Sequence, residues 1–90
     1  GQENPRILSP VDGSTYVLDR SGDGGQWLSL KAQTGSRRVF WFQDGVLLRE
    51  TDAQSPLQIP LSAGSHQIVC VDEVGASDTS RIQVLPGAGR

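Results

Sequence analysis

The segment Val39-Phe40-Trp41-Phe42-Gln43-Asp44-Gly45-Val46-Leu47-Leu48 constrains this chain more than any other. Bulky apolar residues flank an Asp-Gly pair, the dipeptide best suited to a type I′ turn because both central residues take positive φ. The pattern predicts a β-hairpin with a two-residue loop, its arms at residues 38–43 and 46–50. Such a loop sets the pairs as Gln43 with Val46, Phe42 with Leu47, Trp41 with Leu48 and Phe40 with Arg49. Paired residues share a face. One face therefore carries Val39, Trp41 and Leu48, and the other carries Phe40, Phe42, Leu47 and Arg49.

The rest of the chain repeats this style. Helix-period apolar patterns are absent, and short alternating runs are separated by Gly, Pro, Asp and Ser. Further strands are expected at residues 6–9, 15–18, 26–33, 54–61, 66–71 and 79–85. Pro10 and Asp12-Gly13 interrupt the first strand, which residues 15–18 continue. Pro56 and Pro60 suit an edge strand, because proline cannot donate to a ladder. About seven antiparallel strands, with turns at short intervals, predict an all-β, immunoglobulin-like β-sandwich. Trp41 is its expected core anchor. Gly64-Ser65-His66 stands where such domains place a tyrosine corner. His66, Ile68 and Cys70 are expected to point inward, and Val69 and Val71 outward beside the hairpin.

Ninety residues make one domain, which buries roughly 60–65% of its unfolded surface. A net charge of −2 supplies no basic footprint for nucleic acid or anionic lipid. The single cysteine, Cys70, allows no internal disulfide. No run approaches the ~20 apolar residues of a membrane span, and no secretory signal is visible at the start. Residues 1–5 read as linker or tag remnant, 6–85 as the domain and 86–90 as a flexible tail, so the chain is expected to be a module of a longer protein.

Reactive chemistry is sparse. His66 is the sole histidine. It shares a strand face with Cys70, but four residues span ~13 Å, too far for a thiolate–imidazolium pair. His66 is expected to bond nearby backbone and Cys70 to fill the core. The loop 19–25 is acidic but lacks the carboxylate spacing of an EF-hand. Asp12, Asp19, Asp23, Asp44, Asp52, Glu73 and Asp78 lie near turns, where acidic residues are usual. No catalytic, metal or cofactor site is expected.

In order, the chain presents Ile7-x-x-Pro10-x-Asp12-Gly13, Leu30-x-Ala32, Trp41-x-x-Asp44-Gly45, Gly64-x-His66 and Val71-Asp72-x-x-Gly75. Together these motifs resemble the C-terminal domain of bifunctional (class A, 1C-type) penicillin-binding proteins, over residues 7–85. The resemblance implies a parent anchored in the bacterial inner membrane, with a peptidoglycan glycosyltransferase domain and a penicillin-binding, transpeptidase-like domain in the periplasm. It implies an accessory role in cell-wall (peptidoglycan) biosynthesis for this segment. A penicillin-binding site needs Ser-x-x-Lys. Lys31 is the only lysine and Leu28 stands three residues before it, so this chain holds no such site.

Two surfaces are candidates for binding. Strand parity gathers Phe40, Phe42, Leu47, Arg49, Val69 and Val71 on the outside of one sheet, with Arg38, Arg81 and Gln83 around them. Apolar patches rimmed by arginine suit protein docking, with the parent's other domains or another cell-wall protein as partner. Trp27 alternates with the inward Leu28 and is the candidate for stacking on a sugar, which would make the domain a peptidoglycan-binding module instead.

Overall fold

The computed structural model describes residues 4–19 and 25–87. These form eight strands, β1 (Arg6–Ser9), β2 (Thr15–Val17), β3 (Trp27–Gln33), β4 (Arg38–Gln43), β5 (Val46–Asp52), β6 (Leu57–Pro60), β7 (Gly64–Asp72) and β8 (Ser77–Leu85). They make a three-stranded sheet ordered β1-β3-β6 and a five-stranded sheet ordered β2-β8-β7-β4-β5. No helix occurs among the described residues. This is the expected all-β sandwich. Loop residues 20–24, within the acidic loop, and residues 1–3 and 88–90, within the expected linker and tail, lie outside the described residues.

Period-two alternation builds the core, because each strand offers every second side chain to the gap between the sheets. Leu28, Leu30 and Ile59 from one sheet meet Val39, Trp41, Ile68, Cys70, Ile82 and Val84 from the other. Trp41 is 1% exposed and is the largest fully buried side chain. Burial pushes the Cys70 thiol up to about 12, and the charges of Asp72 and Asp78 push the same way. Cys70 is therefore an inert filler. β6 is an edge strand carrying Pro60 at its end, as its prolines predict.

Two features depart from simple alternation. The expected continuation of the first strand changes sheets: β1 pairs with β3, whereas β2 runs parallel to β8. Buried Pro10, which has no N–H to give a ladder, lies between them, and Gly13 turns the chain at φ 87°. Two side chains and one backbone N–H of β8 hold the crossing. Asp78 accepts from the Ile7 N–H, Ser80 donates to the Pro10 carbonyl, and the Arg81 N–H donates to Asp12.

The hairpin register also needs correction. The turn forms as expected, with φ of 52° at Asp44 and 85° at Gly45, and Gln43 pairs with Val46 and Phe42 with Leu47. Beyond that point a bulge at Leu48 shifts the ladder. Trp41 pairs with Arg49, not Leu48, and Phe40 pairs with Glu50, not Arg49. β5 is a sheet edge with no second neighbour to hold its register, and bulges concentrate there. The extra residue lets Leu48 keep its contact with the core.

The third turn with a family motif is organised by a buried aspartate. Asp72 is 5% exposed, and its Oδ1 accepts from the N–H groups of Val74 and Ala76. Gly75 supplies the positive φ, 90°, that this turn requires. The aspartates and glycines of the recurring motifs thus shape turns and strand crossings.

Candidate functional site

His66 lies at the start of β7 and reaches two other segments. Its Nδ1 is 2.7 Å from Asp44 Oδ2, and its Nε2 is 2.9 Å from the Ser62 carbonyl oxygen. Asp44 is further held through Oδ1 by the Gln67 N–H, while its own N–H donates to the Gln67 carbonyl. The hairpin turn, the loop before β7 and β7 itself are clasped together. The backbone bond to Ser62 was expected for a residue standing in for a tyrosine corner. The bond to Asp44 was not, although the signal existed: β4 and β7 are neighbours, and extending their register brings Asp44 beside Gln67.

Asp44, His66 and Ser62 superficially copy a hydrolytic triad, since Ser62 Oγ is 3.4 Å from Nε2. The hydrogen-bond roles argue against that use. A carbonyl oxygen has no proton to give, so Nε2 must donate to Ser62 and cannot accept a proton from its hydroxyl. Nδ1 must donate to the Asp44 carboxylate. With both bonds made the ring carries both protons, and in that imidazolium form it cannot serve as the general base of an acyl-transfer triad.

The energetics agree in sign. The bond to Asp44 raises the His66 pKa above 6.5, against a smaller opposing effect of burial, and the Ser62 carbonyl adds to the rise. The bonds from His66 and the Gln67 N–H lower the Asp44 pKa below 3.8. A raised histidine contributes stability fully below its unfolded value and loses it as pH rises through the folded value. A lowered aspartate contributes above its unfolded value and loses it as pH falls through the folded one. The clasp is therefore complete between about pH 4 and 6.5. Because Asp44 is well exposed, its contribution is of order 1 kcal/mol, or roughly 4–8 °C in Tm. Thermal melts should show wild type losing stability from pH 6 to 9 while His66→Gln stays flat over that range. Parallel slopes for the two proteins would remove the clasp as the cause.

The outer face of the five-stranded sheet brings most of the expected docking residues into register. Phe42 pairs with Leu47 on one side and Val69 on the other, and Phe40 pairs with Glu50 and Val71. Leu47 is 53% exposed, and Phe40, Phe42, Val69 and Val71 are half-buried. Arg49 is the exception. It pairs with Trp41 and so leaves the row of Phe40 and Phe42. Glu50 takes its place and binds Arg38 Nε at 2.7 Å. Arg81 and Gln83 stand exposed on β8, with Arg81 paired to Gln67.

On the opposite side of the sandwich, Trp27 is 61% exposed. It pairs with Pro60, and beside it the Gln58 amide donates to Ser29 Oγ at 3.0 Å. Tyr16 packs against the core, and Phe40 and Phe42 belong to the other sheet. Trp27 is the one aromatic of the three-stranded sheet. No group of three or more potential metal ligands occurs among the described residues.

The architecture is that of a fibronectin III-like, immunoglobulin-like sandwich. The fibronectin(III)-like modules of Clostridium thermocellum CbhA superpose on it with a TM-score of 0.68, 18% identity, and coverage of 93% of this chain and 99% of the module. The sequence profile of the penicillin-binding protein C-terminus family matches residues 1–84, and the chain belongs to that family. A second structural neighbour is SGBP-B of the Bacteroides ovatus mixed-linkage glucan utilization locus, solved with a mixed-linkage heptasaccharide. It aligns with a TM-score of 0.51 and 20% identity over 100% of this chain and 26% of that one. Among curated proteins, none matches the chain significantly.

Proposed function

We propose that this domain is a non-catalytic interaction module of a bacterial peptidoglycan-synthesising penicillin-binding protein. It works in the periplasm and docks through the outer face of its five-stranded sheet on the parent's transpeptidase-like domain or another cell-wall protein. Family membership supports the setting. The observation that carries the docking role is the in-register block of Phe40 with Val71 and Phe42 with Val69, extended by Leu47. A central apolar patch with polar groups at its margin, here the Arg38–Glu50 pair and Arg81, is the usual anatomy of a protein interface.

Changing Phe42 and Val71 together to serine should leave the circular dichroism spectrum of the isolated chain intact. Binding to the remainder of the parent, measured by calorimetry, should weaken by roughly 30-fold if each residue anchors the contact at about 1 kcal/mol. Unchanged affinity would sink the docking face.

A second reading, glycan binding, is favoured by the exposure of Trp27. An exposed indole offers a flat apolar face on which the C–H face of a sugar ring can stack. The glycan-bound neighbour with the same sandwich is consistent with that use. The two readings occupy opposite faces and do not compete.

A further inference from the structure

Resting on the glycan reading, we infer that the outer face of the three-stranded sheet recognises a glycan of N-acetylated amino sugars bearing a carboxylate. Trp27 stacks on a sugar ring, Ser29 and Gln58 bond the acetamido group, and Lys31 meets the carboxylate.

The argument begins with strand parity. Trp27, Ser29 and Lys31 alternate along β3 with the buried Leu28 and Leu30, so all three face outward. They are spaced at roughly 6.6 Å steps. Pro60, opposite Trp27, is exposed and extends the apolar ground beside the indole. This end of the row offers carbon surface to the C–H face of a sugar.

The middle of the row has a defined polarity. Gln58 spends an amide hydrogen on Ser29 Oγ. Ser29 accepts that bond, so its hydroxyl hydrogen is free to donate. The other end of the Gln58 amide leaves Oε1 free to accept. The pair therefore offers one donor and one acceptor side by side. An acetamido group needs that complement: its carbonyl takes the Ser29 proton and its N–H gives to Gln58. A plain hydroxyl can use either group but gains nothing from both being fixed together.

The far end is cationic. Lys31 is the chain's only lysine and forms no ion pair among the described residues. Its side chain lines a cleft of about 310 Å³ with Leu8, Gln54 and Pro56. The bulge in β1 that places Ser9 opposite Lys31 leaves Leu8 48% exposed at this cleft. An unpaired ammonium beside a small recess suits the carboxylate of an acidic substituent on the adjoining sugar. Neutral glucans lack both the acetamido group and the charge.

The test titrates the 90-residue chain with three disaccharides, following indole fluorescence and amide shifts. The probes are GlcNAc–MurNAc with its free lactyl carboxylate, chitobiose and cellobiose. Affinity should fall in that order. Trp27→Ala should weaken the first two at least about tenfold. Gln58→Ala should weaken the same two and leave cellobiose unchanged. Lys31→Gln should weaken GlcNAc–MurNAc about fivefold and leave chitobiose unchanged. All three substitutions are at exposed positions, and circular dichroism verifies folding. Sugar binding that ignores the acetamido group, the carboxylate or Trp27 overturns this assignment while leaving glycan binding standing. An absence of binding to any of the probes, and to a longer peptidoglycan fragment, removes both.

Discussion

Trp41→Ala should unfold this domain or bring it close to unfolding. Truncating a buried tryptophan to alanine costs about 3–5 kcal/mol, because transfer energy is lost and a cavity is left. A 90-residue chain has about 5–13 kcal/mol of stability in total. The urea midpoint followed by circular dichroism should fall by roughly 2 M. Trp27→Ala is the matched comparison, since it deletes the same side chain from a surface, and its effect should stay within about 0.5 kcal/mol. Equal shifts for the two would contradict the burial on which the core assignment rests. Trp41→Phe should cost less than alanine, because its ring fills much of the volume that alanine leaves empty. Among the described residues the buried Nε1 of Trp41 has no hydrogen-bond partner, so both substitutions remove an unsatisfied donor and that gain does not separate them.

The second large effect is expected at Asp72. Its Oδ1 is the acceptor for the Val74 and Ala76 N–H groups, and Asp72 is buried. Alanine strips both donors of their charged acceptor and leaves a gap where the buried carboxylate stood. The expected loss is about 2–3 kcal/mol. Asp72→Asn should retain most of the stability, because an amide oxygen can accept the same two bonds. If asparagine proves as damaging as alanine, the negative charge at this position matters and the hydrogen bonds do not explain the effect.

Much of this fold is legible in local pattern. Trp41 as core anchor, the Asp-Gly turn, the edge position of β6 and the inward set Leu28, Ile68 and Cys70 follow from alternation and turn chemistry, which act over a few residues. What pattern misses has a common cause. The bulge at Leu48 lies on an edge strand, where one missing neighbour leaves register free to slip. The change of sheet between β1 and β2 is held by Asp78, Ser80 and Arg81, about seventy residues away. The Ser29–Gln58 pair exists only because β6 lies beside β3.

The hairpin at Val39–Leu48 shows both kinds of information. Its turn, its strands and the inward course of Trp41 are written in the residues themselves, because Asp-Gly and a two-residue period dictate backbone shape locally. The identity of the family is likewise written there, in motifs whose aspartates and glycines shape turns. The tertiary structure decided which charges stand near which surfaces. It moved Arg49 out of the Phe40 row and put Glu50 in its place. It closed His66 onto Asp44 and set Gln58 beside Ser29. These depend on strand neighbours and ladder slips, which are set by the closing of the whole sandwich and leave no periodic trace in the chain.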